Sequence, residues 1–227
     1  MRILVLLLLF ASSAQAKLDI QHWTTPEGAK VFFAQTKGLP ILDIALNFDA
    51  AASRDGNQFG LASLTSALLG TATEYHNEEQ IINAFEAVGA QFSTSSLKDM
   101  SIVSLRTLTR QSILKKSLDT FTEVITQPSF KQKYLTREKR QTLRSIEAGK
   151  QSPANIASLA FDKAVFVDHP YAHPKIGTQK SINKISLQDL EQHYQQFYVA
   201  KNLTIALVGD ISKVKAKQIA RQISHGL

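Results

Sequence analysis

The chain of 227 residues contains no cysteine. It therefore has no disulfide, no thiolate metal site and no thiol redox centre. For an exported protein this composition suits a bacterial periplasm, an oxidising compartment in which a chain without thiols avoids stray oxidation. Any metal would have to be bound by histidine and carboxylate side chains alone.

Long apolar runs are also scarce. The run over residues 3–10 is short, whereas a membrane-spanning helix needs about 20 residues. Arg2 precedes this run, and small residues ending at Ala16 follow it. This order predicts a signal peptide over residues 1–16 and a periplasmic or secreted chain without stable membrane insertion. A retained N-terminal membrane anchor is the alternative, whereas a lipid anchor is excluded because no cysteine follows the run.

Acidic side chains are fewer than basic ones, 19 against 26, and the formal net charge is +7. Such an excess could suit an anionic partner. The basic residues are scattered, however, except over residues 131–144, where their spacing predicts the solvated face of a helix. We expect no nucleic-acid partner, because an exported chain does not normally meet nucleic acid.

The apolar periodicity predicts one α+β domain over residues 17–227, a length that can bury a sizeable core. Alternating apolar residues predict strands over residues 20–24, 31–35, 41–50, 90–97, 101–108 and 202–210. Helical spacing predicts helices over residues 60–70, 77–89, 113–126, 131–151, 154–167, 187–198 and 214–223.

The helix over residues 60–70 has two distinct faces. Three leucines recur at helical spacing and predict a buried stripe: Leu61, Leu64 and Leu68. Three small residues share a second face: Ser63, Ser66 and Ala67. Gly70 is typical of a helix end. The second face is therefore the place in this helix where a polar site could lie.

Short motifs in this order along the chain resemble those of the pitrilysin/insulinase-type zinc metallopeptidases, the inverzincins, whose helix carries His-x-x-Glu-His. The matching residues are Gly60, Gly70-Thr71, Pro128-Ser129-Phe130, His169-Pro170-Tyr171 and Val208-Gly209-Asp210. The resemblance covers nearly all of residues 17–227. It implies one domain of that family, with a mixed, mostly antiparallel sheet covered by helices.

The same resemblance places the metal motif on the second face of the helix. The first histidine falls at Ser63, the general-base glutamate at Ser66 and the second histidine at Ala67. A serine hydroxyl is too weak a donor to replace imidazole, and alanine offers no ligand. The resemblance therefore implies a chain that is inactive by itself, with no metal and no cofactor.

The third zinc ligand of the family follows a Glu-Lys or Glu-Arg pair by seven residues from its glutamate, which places it at Ser145 after Glu138. A shifted alignment would promote Glu147 instead, but two residues rotate a helical side chain by about 200°. We interpret Glu147 as a surface residue. His169 and His173 could suggest a metal pair, but the two neighbouring prolines favour a structural turn.

The resemblance also implies a peptide-binding edge strand. Five residues match it: Ala90, Gln91, Phe92, Ser93 and Thr94. Free N–H and C=O groups on a sheet edge can hold an extended peptide without close sequence selection. An edge strand that is covered by a neighbouring domain is the alternative.

Members of this family usually carry two homologous domains, and this sequence matches only the first. The resemblance implies a second homologous domain, a zinc-bearing homologous subunit as partner and an extended peptide as substrate. The implied function is to enclose and present unfolded peptides while the partner hydrolyses them. The alternative is a standalone periplasmic peptide-binding or scaffolding protein. An enzyme with replacement chemistry would need a base beside Ser63 or Ser66, and His76 lies beyond the helix end.

Overall fold

Six strands form one mixed sheet in the computed structural model, which describes residues 19–227. The strands are β1 (Ile20–Thr24), β2 (Lys30–Gln35), β3 (Ile41–Phe48), β4 (Gln91–Ser96), β5 (Ser101–Leu108) and β6 (Leu203–Gly209). Their order in the sheet is β1-β2-β6-β3-β5-β4. Only β2 and β6 are parallel among these neighbours. The predicted fold class is confirmed, whereas the predicted signal peptide lies outside the described residues.

The sheet has one buried face, because apolar residues alternate along its central strands. In β3 the residues that point to this face are 0–1% exposed: Leu42, Ile44, Leu46 and Phe48. All the core side chains of the helices pack on this side. On the opposite face, Phe32 and Val208 remain 44% and 40% exposed. The fold is therefore a helical layer on one side of a sheet.

Eight α-helices belong to the described part of the chain. They are α1 (Leu61–Leu68), α2 (Glu78–Glu86), α3 (Gln111–Thr126), α4 (Gln132–Gly149), α5 (Pro153–Phe166), α6 (Gln179–Lys184), α7 (Leu187–Phe197) and α8 (Lys213–His225). Seven of them match predicted helices, and α6 was not predicted from the sequence. Within residues 19–227, no helix combines the length and the apolar character that a bilayer crossing requires.

Local capping explains where several helices begin. The side chains of Asn77 and Ser186 accept hydrogen bonds from backbone N–H groups in the first turns of α2 and α7. Gln80 and Asp189 close the reciprocal half of each capping box. These contacts satisfy backbone donors that have no partner within the helix.

Candidate functional site

A buried carboxylate holds the N-terminus of α1. Asp55 accepts hydrogen bonds from the backbone N–H groups of Gly60, at 2.7 Å, and Ala62, at 2.8 Å. Asp55 as a whole is only 3% exposed to solvent. Burial raises the pKa of Asp55 to about 6, although the two N–H donors oppose this effect. The N-terminus of α1 is therefore capped by a buried titratable group.

Two glycines bring the start of α1 against the segment after His173. Gly60 and Gly177 have φ angles of +93° and +82°. A Cβ atom on Gly177 would lie 2.3 Å from the carbonyl oxygen of Phe59, and one on Gly60 would lie 2.7 Å from that of Ile176. Both positions therefore need glycine for close backbone packing. This requirement does not depend on a bound metal.

α1 presents the three motif positions differently. Ser63 is half-buried and donates a hydrogen bond to the carbonyl oxygen of Lys175, at 2.9 Å. The methyl group of Ala67 is exposed. Ser66 is only 2% exposed and lies against Tyr198, whose buried hydroxyl makes no well-formed hydrogen bond within residues 19–227. Burial raises the pKa of Tyr198 to about 12. The three positions thus do not form one open polar face.

The fourth position lies on α4 and also offers no imidazole, thiolate or carboxylate ligand. Ser145 is exposed, and its hydroxyl donates to the carbonyl oxygen of Gln141 in the preceding turn, at 3.2 Å. Glu147 points to solvent and pairs with Lys150, at 2.6 Å. The interpretation of Glu147 as a surface residue is therefore confirmed.

These side chains do not fit a zinc ion. Zinc sites use imidazole, thiolate or carboxylate ligands, and a catalytic site needs about three of them. The positions implied by the resemblance hold three hydroxyls, of which two donate to carbonyl oxygens, and one methyl group. In the part of the chain that the structure describes, no group of three or more His, Asp or Glu side chains could hold a metal.

The remaining histidines near α1 have structural contacts. His173 stacks on Phe59, with 4.2 Å between the ring centroids, and burial lowers its pKa. His169 precedes a short 3₁₀ turn (Pro170–Ala172) and accepts a hydrogen bond from the backbone N–H of Tyr171. His193 is buried and contacts the carbonyl oxygen of Ala50, at 3.1 Å. The predicted turn after α5 is confirmed.

The strand β4 lies at one edge of the sheet, and no other described strand pairs with its outer side. The prediction that this edge strand begins at Ala90 is wrong: it begins at Gln91, because Ala90 is buried and its N–H donates to the carbonyl oxygen of Phe85. Phe92 points inward and stacks on Phe85, with 5.2 Å between ring centroids. A Cβ atom on Gly70 would lie 2.6 Å from the Phe92 ring. The end of α1 is therefore packed directly on this strand.

The exposed side chains of β4 are small and polar. Gln91 and Ser93 point to the sheet face that carries no helix, and Ser93 shares a 2.7 Å hydrogen bond with Ser104 of β5. Thr94 is half-buried on the opposite side. The edge therefore offers mainly backbone groups to a ligand, with little side-chain selectivity.

A groove of about 570 Å³ adjoins the motif positions. Ser145 of α4 and Lys175, whose carbonyl oxygen binds Ser63, both line it. Ile156 and Leu159 of α5 line its other side. Helical spacing predicted α5 but not that its apolar residues would stay uncovered beside this groove.

Two family models match this chain. Residues 34–179 match the one described as Insulinase (Peptidase family M16). Residues 184–225 match the one described as Peptidase M16 inactive domain. Together the two matches extend from the second strand of the sheet to the last helix.

Similar proteins are known from sequence and from structure. The Non-peptidase homolog YmxG of Helicobacter pylori is 25% identical over 198 residues, which cover 87% of this chain and 45% of the relative. The peptidase M16 inactive domain from Pseudomonas fluorescens is 41% identical with a TM-score of 0.91, covering 92% of this chain and 51% of that chain. The periplasmic protease PqqL from Escherichia coli is similar in fold, with a TM-score of 0.80 at 17% identity, covering 92% of this chain and 24% of that chain. The chain spans about half the length of the first two of these proteins.

Proposed function

Because this chain belongs to the insulinase (M16) peptidase family, we propose that it is a catalytically inactive subunit of a peptidase. It pairs with a zinc-bearing homologue, and together the two subunits enclose unfolded peptides and present them for proteolysis in the periplasm. One observation carries this proposal: α1 keeps the glycines that pack its two ends, but the motif positions hold no side chain that binds zinc well. Those positions are Ser63, Ser66, Ala67 and Ser145.

A second homologous domain completes the proposed assembly. Residues 17–227 form the first domain, and the second is supplied either by a longer form of this chain or by another chain. The relatives that extend to about twice this length support the proposal. So does the sheet face without helices, where Ile20, Phe32 and Val208 are 56%, 44% and 40% exposed. Apolar surface of this kind favours a covering domain.

The proposed role of β4 is to hold the main chain of the peptide. Its outer edge faces no other described strand, and it runs beside α1. An added strand would form backbone hydrogen bonds that tolerate many peptide sequences. Hydrolysis itself belongs to the partner, since this chain offers neither metal ligands nor a general base at the motif positions.

The proposed location is the periplasm. The N-terminal residues have the order of a signal peptide, and the chain contains no thiol that an oxidising compartment would modify. One structural relative is described as a periplasmic protease.

Peptide binding by the β4 edge can be separated from side-chain recognition. We expect a peptide with alternate N-methylated backbone amides to bind the paired subunits at least about tenfold more weakly than its parent, because each methyl group removes a donor. A scrambled peptide of the same composition should bind within about threefold of the parent. Fluorescence anisotropy with labelled peptides measures both ratios. Equal binding of the N-methylated peptide would rule out the edge as the main contact.

The pairing is tested by purifying the C-terminally tagged chain from its own periplasm and identifying co-purifying proteins by mass spectrometry. We expect a stoichiometric partner that carries His-x-x-Glu-His and binds zinc. We also expect peptide hydrolysis by the complex but not by the chain alone. The matched control is the same tag on an unrelated periplasmic protein.

Two results would overturn the proposed function. Recovery of the chain alone, or with unrelated envelope proteins, would leave a standalone binding or scaffolding role. Hydrolysis of peptides by the purified chain with bound zinc would contradict its assignment as an inactive subunit.

A further inference from the structure

The helix α5 is apolar but has no buried residue. Ile156, Phe161 and Val165 are 51%, 63% and 53% exposed, and Val167 beyond the helix end is 69% exposed. A helix that is apolar on most of its surface is normally covered by other elements. Within residues 19–227 nothing covers this one.

The rest of the domain holds α5 through only a few contacts. Asp162 pairs with Lys98, at 2.7 Å, and Phe166 packs edge-on against Tyr171, with 5.2 Å between ring centroids. Near the N-terminus of the helix, the side-chain amide of Asn155 donates to the carbonyl oxygen of Gly149, at 3.1 Å. These contacts fix the position of the helix and leave its apolar surface free.

The surface beside α5 is concave. The groove of about 570 Å³ lies between α4, α5 and residues 174–179. Five apolar residues line it: Ile146, Ile156, Leu159, Pro174 and Ile176. A flat lipid surface cannot fill such a groove, whereas protruding side chains of a folded protein can. The shape therefore favours a protein partner over a membrane.

The charge around this surface is positive. Four cationic residues on or next to the groove form no ion pair with any residue of 19–227. Lys175 lines the groove, Arg140 and Arg144 line the adjoining hollow on α4, and Lys163 follows Asp162 on α5. Nearby carboxylates are already paired, Glu147 with Lys150 and Asp162 with Lys98. Asp168, two residues beyond the end of α5, also forms no ion pair within residues 19–227, so four unpaired positive charges stand against one negative charge near the groove. A second copy would bring like charges together, so the charge pattern favours a partner with carboxylates.

We propose that α5 and the adjoining groove are the docking surface for the partner subunit. The partner inserts apolar side chains into the groove and places carboxylates opposite the four unpaired cations. This inference rests on the proposed function, since it names the surface that the pairing uses. The helix is only about 21 Å long, and a stable interface buries about 800 Å² on each side. The interface therefore extends over the neighbouring surface of α4.

The absence of cysteine allows a direct test by site-specific crosslinking. A single cysteine is introduced by Phe161→Cys, labelled with a photoreactive maleimide and irradiated in the complex with the His-x-x-Glu-His subunit. The matched control is Val214→Cys on α8, where the native side chain is 67% exposed and lies outside both α5 and the groove. We expect the label at position 161 to crosslink to the partner and the label at position 214 to give at least about tenfold less product.

Affinity gives the second measurement. The double variant Ile156→Ser/Phe161→Ser should bind the partner at least about tenfold more weakly, whereas Val214→Ser should bind like the native chain. Because all three side chains are exposed, thermal unfolding should stay unchanged. The charge-reversed variant Arg144→Glu/Lys163→Glu should also bind more weakly and depend less on salt.

Each outcome decides the inference. If the native chain binds the partner and the double variant binds equally well, this docking surface is wrong while the proposed pairing stands. If the native chain does not bind a zinc-bearing homologue, the proposed function fails and this inference fails with it. Loss of binding to anionic vesicles, or of self-association, specifically in the double variant would instead assign α5 to a membrane or to a second copy.

Discussion

The variant Gly177→Ala is expected to lose about 2–5 kcal/mol of unfolding free energy. Its φ angle of +82° is unfavourable for alanine, which costs about 1–2 kcal/mol. Its Cβ atom would lie 2.3 Å from the carbonyl oxygen of Phe59, and forced overpacking costs about 1–3 kcal/mol more. The carbonyl belongs to the backbone at the start of α1, so no side-chain rotation relieves the contact. Urea unfolding followed by circular dichroism measures the loss.

Gly89 provides the matched control for this variant. Its φ angle is +63°, also in the left-handed region, but a Cβ atom there would meet nothing within 4 Å. Gly89→Ala should therefore cost only the backbone term of about 1–2 kcal/mol. Equal losses in the two variants would contradict the close packing of Gly177 against residue 59.

The variant Asp55→Ala is expected to lose about 2–4 kcal/mol, because two buried N–H groups of α1 would lose their acceptor. Asp55→Asn is the matched control: the N–H groups of Gly60 and Ala62 donate to different carboxylate oxygens, and the single amide oxygen can still accept from one of them, so this variant should lose less than Asp55→Ala. Urea unfolding at about pH 4 compares the three proteins with the carboxyl largely protonated. An alanine variant as stable as the native chain would show that this cap contributes little.

The native carboxyl also gives a pH dependence of known sign. The pKa of Asp55 is about 6 in the folded chain, above its ordinary value of 3.8. Between these values the folded chain keeps a proton that the unfolded chain releases, so stability is lost as pH rises through about 6. A shift of about 2 pKa units corresponds to at most about 3 kcal/mol. The free energy of unfolding of the native protein minus that of Asp55→Asn should therefore decrease as pH rises.

His193 acts in the opposite direction and does not confuse this comparison. Burial lowers its pKa in the folded chain, so its contribution is lost as pH falls below the ordinary histidine range. The native protein and Asp55→Asn share this histidine, and its effect cancels in their difference. A difference that does not change with pH would contradict the raised pKa of Asp55.

The regular elements were largely predictable because their periodicity is local. The bounds predicted for β1 and β5 match the observed strands. The helix α6 was missed, since six residues are less than two turns and carry too little periodicity. Its Ile182 is buried because residues 176–177 fold back onto Gly60, a contact between distant parts of the chain.

The candidate site was predictable in position but not in geometry. Spacing and the family resemblance located Ser63, Ser66 and Ala67 on one helix. They did not predict that Ser66 would be buried beside Tyr198 while Ala67 is exposed. The rotation of a helix about its axis depends on what packs against it, and α7, which leads directly into Tyr198, follows α1 by more than a hundred residues.

The sequence by itself determined which ligands are lacking at the motif positions, because side-chain chemistry needs no knowledge of packing. It also determined most helices and strands through their local period. Only the tertiary structure decided that Asp55 meets the N-terminus of α1, that Gly60 packs against residue 176 and that α5 stays uncovered. An apolar period indicates that a helix has a surface to bury, but only the arrangement of the other elements determines whether anything covers it.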